Sequence, residues 1–282
     1  MRYLALLIIG VSCVHGIPAE KLTKILHEAK APFSYNLGLK VLPSRHKQAP
    51  IMICCHGYGA NNQIGDAVYS TGAVLDHIVS FNFPDFDCVA KQYDPKKSTF
   101  GSINELLPLF YILKKCVIDA QQEKINLYGF SAGGAAVINM LAVLNHTTYD
   151  EQLKDIGITV ENKEKIRAAI EKGIIILDCP MKSVEELMDA RGKSEEFEIL
   201  AKRYAHNTMR PIDAVKNLDG LNLTILLYFE NPDEILDNRD DQLFIDRLKK
   251  ANGGKTEVVI GSYGGHNSYH KILWDLYKKI KL

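Results

Sequence analysis

Gly129-Phe130-Ser131-Ala132-Gly133 places one hydroxyl between two glycines in a Gly-x-Ser-x-Gly pattern. Ile125 to Tyr128 reads as a short apolar strand entering this turn, and Ala135 to Leu144 as a helix leaving it. A sharp strand-to-helix turn pushes a serine hydroxyl out at the end of a sheet, and Gly129 and Gly133 relieve the crowding that a Cβ would bring there. Ser131 is therefore the candidate nucleophile, against the competing reading of a glycine-rich connection with no chemistry. A serine is a poor nucleophile at neutral pH and needs a base that is itself held by a third group. That base is expected in Gly261 to Ser268, where His266 lies in a glycine-rich loop between the last strand and the last helix. Of the nine histidines, only His266 and His56 lie at the end of a predicted strand or in the loop after it, where open α/β sheets bind ligands. The alternative for His266 is a turn histidine bonded to the backbone. His270, four residues on, has no carboxylate or cysteine at the spacing zinc requires, so no metal and no other cofactor is expected.

These groups need a scaffold. Strand-like and helix-like segments alternate from about residue 48 to the end, which predicts a largely parallel sheet with crossover helices. Pro50 to Cys55 reads as a buried strand ending at His56, and Phe86 to Ala90 as the next strand. Ser102 and Glu105 have capping-box spacing at the start of a helix whose apolar stripe is Leu106, Leu109, Phe110, Leu113 and Val117; Pro108 is early enough to kink that helix without abolishing it. A helix over Lys163 to Lys172 precedes a strand over Gly173 to Asp178. Residues 180–217 break the rhythm, with seven Lys or Arg and seven Asp or Glu, and read as a solvated helical insertion that is also a candidate lid. Leu223 to Phe229 is the next strand, Asp240 to Ala251 a helix, and Thr256 to Ile260 the last strand. The final helix carries Ile272, Leu273, Leu276, Tyr277 and Ile280 on one side.

At 282 residues the chain is long enough to bury a large core within one α/β domain. Lys plus Arg and Asp plus Glu are 34 each, so no global field favours nucleic acid or an anionic membrane, and a neutral or weakly charged small partner is expected. Met1-Arg2-Tyr3 followed by the apolar Leu4 to Val11 reads as a secretory signal peptide over residues 1–16, implying a secreted or periplasmic protein. A lipid anchor through Cys13 and an uncleaved membrane anchor are the alternatives. Beyond this leader no run is long enough to span a bilayer. The cysteines at 13, 54, 55, 88, 116 and 179 show no repeated spacing, so buried thiols are expected, with one bridged pair as the alternative. Asn145 and Asn222 begin glycosylation sequons.

Over residues 33–282 the chain resembles the serine hydrolases of the α/β-hydrolase superfamily, esterases and lipases among them. Three signals carry the resemblance in the family's order: His56-Gly57-Tyr58-Gly59 after an early strand, the Ser131 elbow, and His266 after the last strand. It implies an α/β-hydrolase fold, a mostly parallel central sheet flanked by helices, and a third group in Phe229 to Ile235, which points to Asp233. Glu230 stands where the family usually has glycine, so Asp237, Glu230 and Asp178 remain open. The resemblance also implies an oxyanion hole from the backbone N–H groups of Tyr58 and Ala132, with His56 bracing its own loop and Gly59, Asn61 and Asn62 at the pocket rim or in a polar turn. The implied activity is hydrolysis of carboxylic esters through an acyl-enzyme. Thioesterase, peptidase and acyltransferase remain alternatives on the same scaffold, as does a noncatalytic binding relative.

Overall fold

Short runs of β-branched and other apolar residues form the strands, and in the computed structural model those strands make one sheet in the order β1-β3-β2-β4-β5-β6-β7. The structure describes residues 16–281 except 29–30, 34, 47–48, 85–100, 187–194, 196–197, 200–201, 203–209, 263–264 and 267–270. The strands are β1 Lys40–Leu42, β2 Ile51–Cys55, β3 His77–Ser80, β4 Ile125–Phe130, β5 Ile174–Asp178, β6 Thr224–Glu230 and β7 Thr256–Gly261. β1 runs antiparallel to β3, and every other pairing is parallel.

The helices are α1 Ala19–His27, α2 Ile64–Ser70, α3 Ile103–Lys114, α4 Ala132–Leu144, α5 Asp150–Asp155, α6 Val160–Glu171, α7 Pro211–Ala214, α8 Asp241–Ala251 and α9 Lys271–Lys281. Parallel strands need crossovers, and these helices cover both faces of the sheet. Alternation along β4 shows the two layers: Ile125 and Leu127 join the core with α1, α3, α4, α6 and α8, while Tyr128 and Phe130 join α2 and α9. All residues of α4 are buried, as befits a helix that is apolar on every side. On α9 it is Leu273, Trp274 and Tyr277 that are buried, with Ile272, Leu276 and Ile280 packed at the margin.

The structure departs from sequence expectation in places. β1 and β3 were not anticipated: β3 has only four residues and opens on His77, whose ring is held by the Ile17 carbonyl and the Ser44 N–H, so its place rests on neighbours. The expected strand at Phe86 to Ala90 lies outside the described residues, as do Cys13, Cys88 and residues 1–15 of the leader. Ser102 does start α3, but its side chain makes no capping bond; the Glu105 carboxylate instead accepts from the Gly101 N–H at 2.8 Å. Within 180–217 the described parts include a helical turn at Val184 to Glu186, α7 and a 3-10 turn over Val215–Leu218. Among the described residues Cys54, Cys55, Cys116 and Cys179 are free and buried, and no helix is long and apolar enough to cross a membrane. The Asn145 carboxamide donates to the carbonyls of Asn217 and Asp219, bonds that a glycan would displace, whereas Asn222 is exposed.

Candidate active site

Ser131, between β4 and α4, has a backbone conformation, φ 51° and ψ −118°, that non-glycine residues rarely adopt. Such a residue costs about 1–3 kcal/mol. Four backbone hydrogen bonds hold it there: its N–H donates to the Asp178 carbonyl, and its own carbonyl accepts from Gly134, Ala135 and Met181. At about 1 kcal/mol each they offset the strain. The glycines are required by approach distance: a Cβ on Gly133 would lie 2.1 Å from the Cys55 carbonyl oxygen, and one on Gly129 would lie 2.7 Å from the Gly134 Cα.

His266 arrives from the loop after β7 and is buried. Its backbone N–H donates to the Glu234 carboxylate at 2.9 and 3.1 Å. Gly265, at φ 80°, leaves the space that carboxylate occupies, since a Cβ there would sit 2.8 Å from Glu234 Oε1. Its imidazole lies 5.2 Å from the Phe130 ring, Nε2 is 3.0 Å from Ser131 Oγ, and Nδ1 is 2.7 Å from Asp233 Oδ2. The other carboxylate oxygen, Asp233 Oδ1, accepts from the N–H groups of Ile235 at 2.7 Å and Leu236 at 2.9 Å.

Burial alone would push the Asp233 carboxyl up, but the hydrogen bond and charge of His266 and the Leu236 and Ile235 N–H groups hold it below the usual carboxylate range. An ionised Asp233 fixes the proton of His266 on Nδ1, leaving the Nε2 lone pair to accept from the Ser131 hydroxyl. The other carboxylates are engaged elsewhere. Asp178 accepts from the Tyr128 hydroxyl, Glu230 from the Tyr228 hydroxyl, and Asp237 caps Arg239 and pairs with its guanidinium.

The His56 to Gly59 loop lies directly against the serine, because a Cβ on Gly57 would be 3.1 Å from the Phe130 ring and 3.3 Å from Ser131 Cβ. Tyr58 is therefore in the adjoining turn, while the Ala132 N–H belongs to the first turn of α4, where backbone donors lack intrahelical acceptors. His56 spans its loop: Nδ1–H donates to the Gly57 carbonyl at 2.8 Å and Nε2 accepts from the Phe83 N–H at 3.1 Å. The Asn61 side chain accepts from the Gln63 N–H within the turn before α2, while Asn62 donates its side-chain amide to the Gly38 carbonyl and its backbone N–H to Asn82 Oδ1.

Burial lowers the His56 pKa to about 4, against a smaller opposing effect of the Gly57 carbonyl. The unfolded chain then binds one more proton than the native protein between pH 6.5 and 4, so stability falls as pH drops through that window, by about 3 kcal/mol in total. His56→Gln is expected to lose that component of the slope, read from urea midpoints between pH 7 and 4. Equal slopes in the two proteins would count against a neutral buried His56.

Sequence spacing offers no metal-ligand set, yet the fold brings Cys179 beside Asp233 and His266. Among the described residues, Cys179, Asp233 and His266 are the group whose donor atoms could converge on a cation, all within 4.8 Å of one another. The carboxylate and imidazole already satisfy each other, and burial with the nearby charges of Asp178 and Asp233 pushes the Cys179 thiol well up, so this set holds protons in preference to a cation. Glu234 and Cys179 carried no sequence signal: each meets His266 only across the fold.

No protein-family model matches the chain, and no curated protein matches it either. Solved structures do. Esterase B from Lactobacillus rhamnosis is similar at 14% identity with a TM-score of 0.55, over 86% of this chain and 81% of that one. A carboxylesterase from Lactobacillus plantarum is similar at 15% identity and TM-score 0.54, over 84% of this chain and 82% of its own. An acylaminoacyl peptidase from Pyrococcus horikoshii gives 13% identity and TM-score 0.56 over 88% of this chain but only 38% of the peptidase. With its seven-stranded sheet, buried serine turn and flanking helices, this chain has the α/β-hydrolase fold.

Proposed function

We propose that the protein is a serine hydrolase of carboxylic esters, with Ser131 as nucleophile, His266 as general base and Asp233 as the orienting acid. The observation that carries this reading is the continuous hydrogen-bonded line from Ser131 Oγ through His266 to Asp233, at 3.0 and 2.7 Å. Ser131 attacks the acyl carbon as Nε2 takes its proton. His266 then returns that proton to the leaving alcohol, and water repeats the sequence on the acyl-enzyme. The N–H groups of Ala132 and Tyr58 receive the oxyanion, a contribution of about 3 kcal/mol per donor. The balanced charge of the chain and the likeness to esterase B and to a carboxylesterase support a neutral ester substrate.

A fluorophosphonate probe is expected to label the wild-type protein on Ser131, and a panel of short and long acyl esters, acyl thioesters and aminoacyl amides to show turnover of esters above the rest. No labelling of folded protein would favour a binding relative. Turnover restricted to the amides would replace the esterase reading with a peptidase, the activity named for the Pyrococcus horikoshii neighbour.

A further inference from the structure

Lys182, three residues beyond the Cys179 that follows β5, has an almost fully buried side chain. Its ammonium donates to Asp241 Oδ1 at 2.6 Å, to Glu186 Oε2 at 3.1 Å and to the Asp237 carbonyl at 3.3 Å, and lies 5.0 Å from the Phe229 ring centroid. All three of its protons are thereby used. The second Asp241 oxygen accepts from Asn238 Nδ2 at 2.9 Å, and the remaining Nδ2 hydrogen goes to the Glu230 carbonyl at 2.7 Å. Asn238 Oδ1 in turn accepts the backbone N–H of Asp233 at 3.1 Å. The loop that carries the acid is thus tied at its backbone to Asn238, to Asp241 on α8 and to a lysine from the segment after β5.

A buried ionic cluster of this kind contributes little net stability, because desolvating the charges costs about as much as their attraction returns, and well-packed apolar residues would serve the core equally well. What it supplies is geometry. Asp233 lies outside any strand, so no sheet ladder sets the height of its carboxylate against His266 Nδ1. The Asn238 carboxamide bridges the end of β6 and the start of α8, and it alone among these side chains reaches both the Glu230 carbonyl and the Asp233 N–H.

We propose that Asn238, held by the Lys182–Asp241 pair, is a positioning residue that sets Asp233 Oδ2 against His266. The proposal rests on the hydrolase reading for its kinetic consequence but not for its structural one, and the test separates the two.

Asn238→Ala leaves the Lys182 bonds to Asp241 and Glu186 in place and removes the three bonds of the carboxamide, to the Glu230 carbonyl, the Asp233 N–H and the second Asp241 oxygen. It is expected to lower kcat on the ester by about 10–100-fold with KM nearly unchanged, the effect of a displacement of an ångström or less at the chemistry. In nitrogen-15 histidine-labelled protein, the His266 signal, assigned by its loss in His266→Gln, is expected to move as the hydrogen bond from Nδ1 weakens. In a cycle with Lys182→Met the two losses should be strongly non-additive; if Lys182→Met does not fold, Asn238→Ala decides alone. An unmoved His266 signal in folded Asn238→Ala overturns the proposal, whatever its kcat. If wild-type protein neither hydrolyses esters nor labels with fluorophosphonate, the hydrolase reading fails, and the nitrogen-15 signal still answers for the positioning.

Discussion

Ser131→Ala is expected to reduce kcat on an ester by about a million-fold while leaving the fold intact, the loss typical when the nucleophile of a Ser-His-Asp unit is removed. The hydroxyl is one atom in a buried turn, and its bond to His266 Nε2 is worth about 1 kcal/mol of stability at most. A chemically silent, folded variant therefore isolates the chemistry. Ser131→Gly sharpens the test: it should be equally inactive but more stable by about 1 kcal/mol, because glycine adopts a φ of 51° without the penalty serine bears. Initial rates with fluorophosphonate labelling, set beside denaturant midpoints, measure both quantities. Turnover retained in either variant would remove Ser131 from the reaction. A loss of stability in Ser131→Gly would show that the turn is not strained.

Asp233→Asn is expected to lower kcat by about ten-thousand-fold with little change in KM. The reason lies in the local bonds. The N–H groups of Ile235 and Leu236 point at Oδ1, so the asparagine keeps its oxygen there and turns its NH₂ toward His266 Nδ1. That NH₂ donates where the carboxylate accepted, the imidazole proton moves to Nε2, and the lone pair that should take the Ser131 proton is gone. Asp237→Asn, at a carboxylate that caps Arg239, should keep activity within a few-fold of wild type. A reversed order of effects would transfer the acid role to the wrong-looking candidate and unseat Asp233. The Asp233 carboxyl lies below its ordinary value, so it contributes stability above the unfolded pKa that is lost as pH falls through the native one. Asp233→Asn should lose that acid-side component as well.

The parts that were legible in sequence are those fixed by short-range physics. An apolar run, a glycine pair around Ser131 and an alanine-rich continuation allow few local structures, and β4 and α4 fall where that pattern puts them. The same holds for β2, β5, β6 and β7, whose hydrophobic stretches match the strands to within a residue or two at their ends. β1 and β3 were hidden because they are too short to carry a periodic signal and are stabilised chiefly by pairing with each other and, for β3, with β2. The capping box failed at Ser102 because the same spacing suits a different bond, in which Glu105 reaches past Ser102 to the Gly101 N–H.

Residue order by itself determined the α/β class, the Ser131 turn and the location of a histidine after the last strand, since each depends on neighbours a few positions apart. Only the tertiary structure shows which of Asp233, Asp237, Glu230 and Asp178 lies against His266, because that depends on where each carboxylate points in space. It alone brought Glu234, Cys179 and the Lys182–Asp241–Asn238 chain to His266 and Asp233. Hydrogen bonds and desolvation act over a few ångströms of space, whereas Glu234 lies 32 residues from His266 and Lys182 lies 59 from Asp241, so nothing in local spacing records their meeting.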